Sequence, residues 1–560
     1  MKRLLRQRAS YQALKHWGYL LRSSEYRRRD RQAQTDFARF RDQEGGRALR
    51  LDLLPSGVKP RTALIVGTSY LPLVKVEACI IKAFQLASFQ TTVVGNRGFD
   101  FLRYYRLAGN EVVYDFSDFN SLGASDWVAR RAGGAASLRD WMALEYEGIH
   151  VGRFAVASVL RTLKTGKLDC AKPDVQELLR QFLETSVRFA MASTHLLDKT
   201  KPDCVLVIDR GYAGQGEIFD LALQRRIDTL TWNVGYKSNR IYFKRYHSGN
   251  ERDHPFSLST DSWHRLCSLP WTPDYGRKIR EELFQCYQTQ DWFSVVGTQF
   301  NKVILSQQAT RKKLNLSPDK KVAVIFPHIL WDGSFFWGED LFDNYAHWFA
   351  ETMRAACGNS RLQWLVKLHP AHVVKNKIMK HAGRPAELDV IEGEFRDLPS
   401  HIKLIQPDTD ISTYSLFEIA DYVVTVRGTV GVEAALFGVP AVTAGTGRYD
   451  RRGFTLDSST RQEYLQKLAT LETYPRLSTE QIELAERFAY GSLLCRPLSL
   501  SSIGMEYQHD ETATLKVSVH PQTKEDWMSA PDIRKLSDWI ADGKAEDMLA
   551  FPQMNGHAAV

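Results

Sequence analysis

The chain has 560 residues, 44% of them apolar and 25% charged, the composition of a water-soluble globular protein with room for two large domains and a small third. No stretch approaches the ~18 uninterrupted apolar residues of a membrane-spanning helix, and Leu4 and Leu5 are followed at once by Arg6 and Arg8, unlike the apolar core of a secretory signal. The net charge of +9 resides in the first 50 residues, which hold 14 Lys/Arg against 5 Asp/Glu; the rest balances at 60 against 60.

Residues 1–50 form a basic arm on an otherwise neutral protein. Leu4, Tyr11, Leu14, Trp17 and Leu21 fall near one face of a helix, with arginines elsewhere. This pattern suits peripheral contact of residues 1–32 with an anionic membrane, where each basic side chain adds about 1 kcal/mol. It suits equally a helix packed on the body. The arm lacks an organised aromatic platform, so no nucleic acid is expected. Arg27-Arg28-Arg29 and the polar run to Gly46 read as a flexible connection.

A first α/β domain is expected over 51–270. Arg61–Gly67 reads as a buried strand, 73–86 as an apolar helix, 91–94 as a second strand and 111–114 as a third. The Gly67-Thr68-Ser69 turn is too short for a dinucleotide fingerprint. Residues 125–200 read as mostly helical, with RDWMALEYEGIHVGRFAVASVLRTL as one helix and VQELLRQFLETSVRFAMASTHLL as another. Strands follow at 202–209, ending in Asp209, and at 229–234. Alternation of this kind builds a parallel sheet covered on both faces.

A helical linker is expected over 271–316, then a second α/β domain over 317–480. Its strands fall at 320–326, 363–368, 402–405, 422–426 and 441–444, with helices near 341–356 and 459–471. A helix from Thr479 through Tyr490 leads back toward the first domain, and residues 481–560 are crossing helices and tail. The fold class is therefore α/β, two Rossmann-like domains facing a cleft, with ligand expected between the carboxyl ends of the strands. Seven scattered cysteines without a CxxC pair suggest neither disulfides nor zinc, which fits a cytoplasmic protein.

Four loops of the second domain carry candidate chemistry. Tyr422–Ala444 (YVVTVRGTVGVEAALFGVPAVTA) reads as strand, turn, helix, strand. Its turn offers Arg427, Gly428, Thr429 and Val430 as phosphate donors, and Glu433 in the next helix is a candidate acceptor for ribose or sugar hydroxyls. Lys367-Leu368-His369-Pro370 ends another strand with a histidine fixed by proline. After the 320–326 strand, His328, Trp331, Asp332 and Gly333 form a donor or acceptor pocket, with Phe335, Phe336 and Trp337 as an aromatic wall. Asp408-Thr409-Asp410 has a DxD form that turn and cap geometry explains, so no metal is assigned.

These loops suit a nucleotide-activated sugar. The leaving phosphate would be held by Arg427, His369 and the turn amides, and Asp209 would serve as base from across the cleft. No cofactor is expected beyond the nucleotide-sugar co-substrate.

LVKLHP, VTVRGTVGVEAALFGVPAV and FPHILWDGS resemble the bacterial capsule polysaccharide biosynthesis glycosyltransferases, enzymes of the GT-B type, several of which transfer Kdo from CMP-Kdo. The resemblance covers about 320–465. It implies contacts of His369, Pro370 and Thr429 with cytidine monophosphate, although Gly428 replaces one hydroxyl of the family's pair. An acidic first-domain motif is reduced to Asp209-Arg210-Gly211. The resemblance also implies a glycan or glycolipid acceptor anchored at the inner membrane. A glycerophosphotransferase of the teichoic-acid kind, a nucleotide-sugar epimerase and a non-catalytic glycan- or nucleotide-binding scaffold are the competing readings.

Overall fold

The computed structural model describes residues 18, 21–40, 51, 60–95, 98–110, 112–333, 335–370, 373, 384–508 and 514–551. Strands β1 (Arg61–Val66), β2 (Phe89–Gly95), β3 (Val112–Asp115), β4 (Cys204–Val207) and β5 (Asp228–Val234) run parallel. β6 (Arg240–Tyr246) turns back antiparallel on β5. Every residue of β4 is buried, as expected of a strand covered on both faces. The Leu71–Leu86 helix covers one face, and the Val151–Leu163 and Pro173–Thr200 helices cover the other.

The single helix expected over 139–163 is instead two, Leu138–Met142 and Val151–Leu163. Glu147 and Gly148 turn the chain with positive φ, and Tyr146 and Ile149 exchange backbone hydrogen bonds. Gly152 then lies so close to the Trp141 carbonyl that a Cβ would overlap it.

The second sheet contains β7 (Val322–Ile325), β8 (Gln363–Lys367), β9 (Ile402–Ile405), β10 (Tyr422–Thr425), β11 (Ala441–Thr443) and β12 (Thr455–Leu456), all parallel, in the order β12-β11-β10-β7-β8-β9. The Thr479–Ala489 helix, extended by a π-helical stretch Tyr490–Cys495, returns the chain to β13 (Leu498–Ser499), which pairs with β6. The first sheet is thus β13-β6-β5-β4-β1-β2-β3. Where the chain leaves the first domain and where it returns, Tyr275 and Tyr490 meet edge to face at 5.0 Å.

The last described residues belong to the first domain. β14 (Ile503–Tyr507) and β15 (Leu515–Val519) form a hairpin, and the Pro531–Asp542 helix lies on the Leu71–Leu86 helix. Asp547 is fully buried between Lys244 at 3.2 Å and Arg496 at 3.3 Å.

Over residues 27–40 the flexible connection expected from Arg27 to Gly46 is replaced by a Ser24–Asp36 helix docked on the first domain, and residues 41–46 lie outside the described residues. Asp30 pairs with Arg103, Phe37 stacks on Tyr104 at 5.5 Å, and Phe40 meets Trp527 at 5.2 Å. Local composition concealed this because the anchoring aromatics follow a run with no aliphatic stripe. The helix expected over Leu4–Leu21 lies outside the described residues except for Gly18 and Leu21.

Each sheet changes direction of travel beside its first strand. In the second, β7, β8 and β9 proceed one way and the chain then returns to place β10 on the other side of β7. In the first, the same reversal separates β1 from β4. Loops diverge at such points and leave a crevice beyond the carboxyl ends of the strands.

Candidate active site

A cavity of about 300 Å³ occupies the crevice between β7 and β10. Three adjacent strands supply its floor. After β7 come Phe326, Pro327, His328 and Asp332; at and after β8, Lys367, His369 and Pro370; at and after β10, Thr425, Gly428, Thr429, Val430 and Glu433. His369 and Thr429 therefore face the same space.

The turn after β10 is held by close contacts. Gly428 N–H donates to Thr425 Oγ1 at 3.3 Å, and the Tyr449 hydroxyl donates to the Gly428 carbonyl at 2.6 Å. Tyr449 presses so near Gly431 that any Cβ there would overlap its hydroxyl. The Val430–Ala435 helix starts at once, and the N–H groups of Thr429 and Val430 have no acceptor among the described residues.

Arg427 does not take the position expected of it. Its side chain is buried beneath the turn, where Nη2 pairs with Asp340 and donates to the Glu339 carbonyl at 3.2 Å. Asp340, carried by the loop after β7, draws the guanidinium away from the cavity; burial lifts the Asp340 carboxyl to about 6. The arginine that lines the cavity is Arg448, in the glycine-bearing loop after β11. Burial lowers its pKa from the usual guanidinium value.

His328 stacks on Tyr345 at 4.6 Å, and its Nε2 accepts from the Arg427 backbone N–H at 3.3 Å. The bond fixes the proton on Nδ1. Burial, then the Arg427 charge, holds its pKa well below the ordinary imidazole value. His369 is anchored through its backbone N–H, which donates to Glu387 Oε1 at 3.0 Å. Lys367 is buried with Nζ donating to the Leu368 carbonyl at 3.2 Å, and burial brings its pKa down to about 7. Glu433 accepts from the Tyr287 hydroxyl at 2.5 Å and is pushed up to about 7 by burial.

The aromatic wall differs from the expected one. Trp331 and Phe335 are buried in the core, Phe336 stacks on Phe154 at 5.0 Å, and Trp337 covers Arg210 at 4.5 Å. Those rings join the two domains. Phe256, Trp292 and Phe293, from the chain between β6 and β7, form the cavity wall instead. Gly333 also lies outside the cavity, its N–H donating to the Tyr212 hydroxyl at 2.9 Å.

Asp209 stands at the carboxyl end of β4, at the first sheet's own reversal point. Its Oδ1 accepts the Gly211 N–H at 2.9 Å, and burial raises its pKa. It does not line the cavity. The aspartate that does is Asp332, which accepts from the Tyr212 hydroxyl at 2.5 Å, so the Asp209–Tyr212 turn and the Asp332–Gly333 turn meet across the cleft. Asp410 of the DxD sequence is engaged by Lys313 at 2.6 Å.

The site thus combines cationic and N–H donors, an aromatic wall, a hydroxyl acceptor in Glu433 and a carboxylate in Asp332. Sequence reasoning missed His254, Phe256, Trp292, Phe293 and Arg448. Only Arg448 carried a usable signal, a glycine-rich loop directly after a buried strand.

The fold and site define two Rossmann-like domains facing a cleft, the GT-B arrangement. No family model and no curated protein matches the sequence. Among solved structures the chain is similar to the KpsC β-Kdo 2,4 transferase of Thermosulfurimonas dismutans, at 14% identity and a TM-score of 0.32, over 52% of this chain and 80% of that one. It is similar to the β-Kdo 2,7 transferase of the same organism's KpsC, at 13% identity and 0.31, over 55% and 82%. A UDP-GlcNAc 2-epimerase from Neisseria meningitidis, bound to UDP-GlcNAc, matches at 14% identity and 0.28, over 77% and 94%. At identities and TM-scores this low, the functional reading rests on the cavity.

Proposed function

We propose that the chain is a glycosyltransferase moving a sugar from a nucleotide-activated donor, CMP-Kdo being one candidate, to a surface polysaccharide or glycolipid. The observation carrying this reading is the cavity between β7 and β10, which joins an aromatic wall, phosphate donors and Asp332 in one space. The base and ribose lie against Trp292, Phe293 and Glu433. The phosphate meets Arg448, His369, Lys367 and the amides of Thr429 and Val430. An acceptor oxygen attacks the anomeric carbon as the bond from that carbon to the phosphate oxygen breaks. The electron pair leaves with the nucleotide, and the hydroxyl proton passes to Asp332. No cofactor takes part. Residues 1–32 rest on an anionic membrane surface near the acceptor.

Incubation with CMP-, UDP-, GDP- and CDP-linked sugars, with release of free nucleotide followed, tests the reading. Release that depends on an added glycan acceptor is expected from one donor class. A protein that releases nucleotide from none and is not thermally stabilised by CMP, UDP or GDP is not this transferase.

A further inference from the structure

His254 lies in the chain just after β6, outside the elements that supply the cavity floor, and nothing in the sequence marked it. Its backbone joins the two domains: His254 N–H donates to the Gly447 carbonyl at 2.7 Å, in the loop after β11. Its ring lines the cavity, between Phe256 at 5.3 Å and Trp337 at 5.4 Å.

The proton on this ring can be placed. Phe256 N–H donates to Nδ1 at 3.1 Å, so Nδ1 carries a lone pair and the hydrogen sits on Nε2. Among the described residues Nε2–H has no acceptor. Burial, followed by the charges of Arg448, Arg427 and Arg210, holds the imidazole neutral. Acting as a base through Nε2 would require the hydrogen to move to Nδ1, which would leave the Phe256 N–H facing another donor. The ring is arranged to give a hydrogen bond and not to take a proton.

We propose that His254 is a ligand-binding donor, its Nε2–H reaching an anionic phosphate oxygen of the bound nucleotide. It deepens the transferase reading and rests on it. A neutral donor supplies a hydrogen bond without another cation beside Arg448.

Two substitutions separate the ring's two nitrogens. His254→Asn places an oxygen where Nδ1 accepts the Phe256 N–H and removes the Nε2 donor. His254→Gln places an N–H near Nε2 and gives up the Nδ1 acceptor. Titration calorimetry of the full chain with CMP, UDP and GDP is the readout, with thermal unfolding alongside. Expected is about tenfold weaker binding in His254→Asn with near-native unfolding, and binding within about threefold of wild type in His254→Gln despite lower stability. Unchanged affinity in His254→Asn, or equal loss in both variants, overturns the donor role while the transferase reading stands. Wild type that binds none of the three nucleotides removes both. Should His254→Asn fail to fold, His254→Gln decides alone: retained affinity supports the donor and tenfold loss overturns it.

Discussion

The Tyr287 hydroxyl donates to Glu433 at 2.5 Å, joining the Pro273–Gln288 helix to the Val430–Ala435 helix that follows β10. Glu433 is buried, and its carboxyl titrates at about 7 against an ordinary 4.5. The folded protein therefore binds this proton more tightly than the unfolded chain. The associated stability is present below pH ~4.5 and is lost as the pH rises through about 7. Glu433→Gln removes the slope, so the variant gains on wild type between pH 5 and 8, by on the order of 3 kcal/mol if no other group compensates. Urea unfolding at both pH values measures it, and equal differences at the two would refute the assignment.

Lys367, at about 7, is poised to take up a proton when an anion docks beside it. A bound phosphate raises its pKa, so nucleotide affinity falls as the pH rises above 7. Calorimetry at pH 8 in buffers of different ionisation enthalpy should show net proton uptake that Lys367→Met abolishes.

Asp332 reaches the cavity and Asp209 does not. Turnover in Asp332→Asn is expected to fall by about 10² or more with nucleotide affinity little changed, and Asp209→Asn should lose less. The reverse ranking, read from initial rates, would return the base to β4.

Asp547 is the buried anion between Lys244 and Arg496, and these cations hold its carboxyl far below the usual range despite burial. Asp547→Ala leaves the buried Arg496 without its carboxylate and Lys244 with Asp253 alone, at 3.6 Å, and should destabilise the fold by about 3–5 kcal/mol. Its stabilising contribution is present above the unfolded carboxyl pKa and fades as the pH falls below it. Denaturant midpoints of wild type and variant at pH 7 test the first statement.

Removing residues 1–20 should free the protein from anionic vesicles in a sedimentation assay while keeping the Ser24–Asp36 helix and Phe37, the first docked contacts among the described residues. Undiminished vesicle binding would show that residues 1–20 are not the attachment.

The two sheets were legible because β1, β4, β7, β8 and β10 are short, largely apolar runs followed by glycine, proline or acidic punctuation. β6 and the two-residue edge strand β13 were not, and the pairing of β13 with β6 depends on a chain return from residue 490 onward. In the site, His328, His369 and Thr429 follow directly from strand ends, where direction is set by the sheet. Arg427 also ends a strand, yet Asp340, 87 residues earlier, captured its guanidinium. His254 and Trp292 sit in irregular chain between domains. Their place depends on tertiary contacts that no local period encodes.

The edge-to-face meeting of Tyr275 and Tyr490 has a mechanical consequence. Halves tethered by one thread can swivel in any direction, but two threads touching side by side leave a single axis, like paired knuckles on a door. Opening of the cleft to admit a donor would then be a swing about that line, and a bulky change at either tyrosine should stiffen the swing without touching the chemistry.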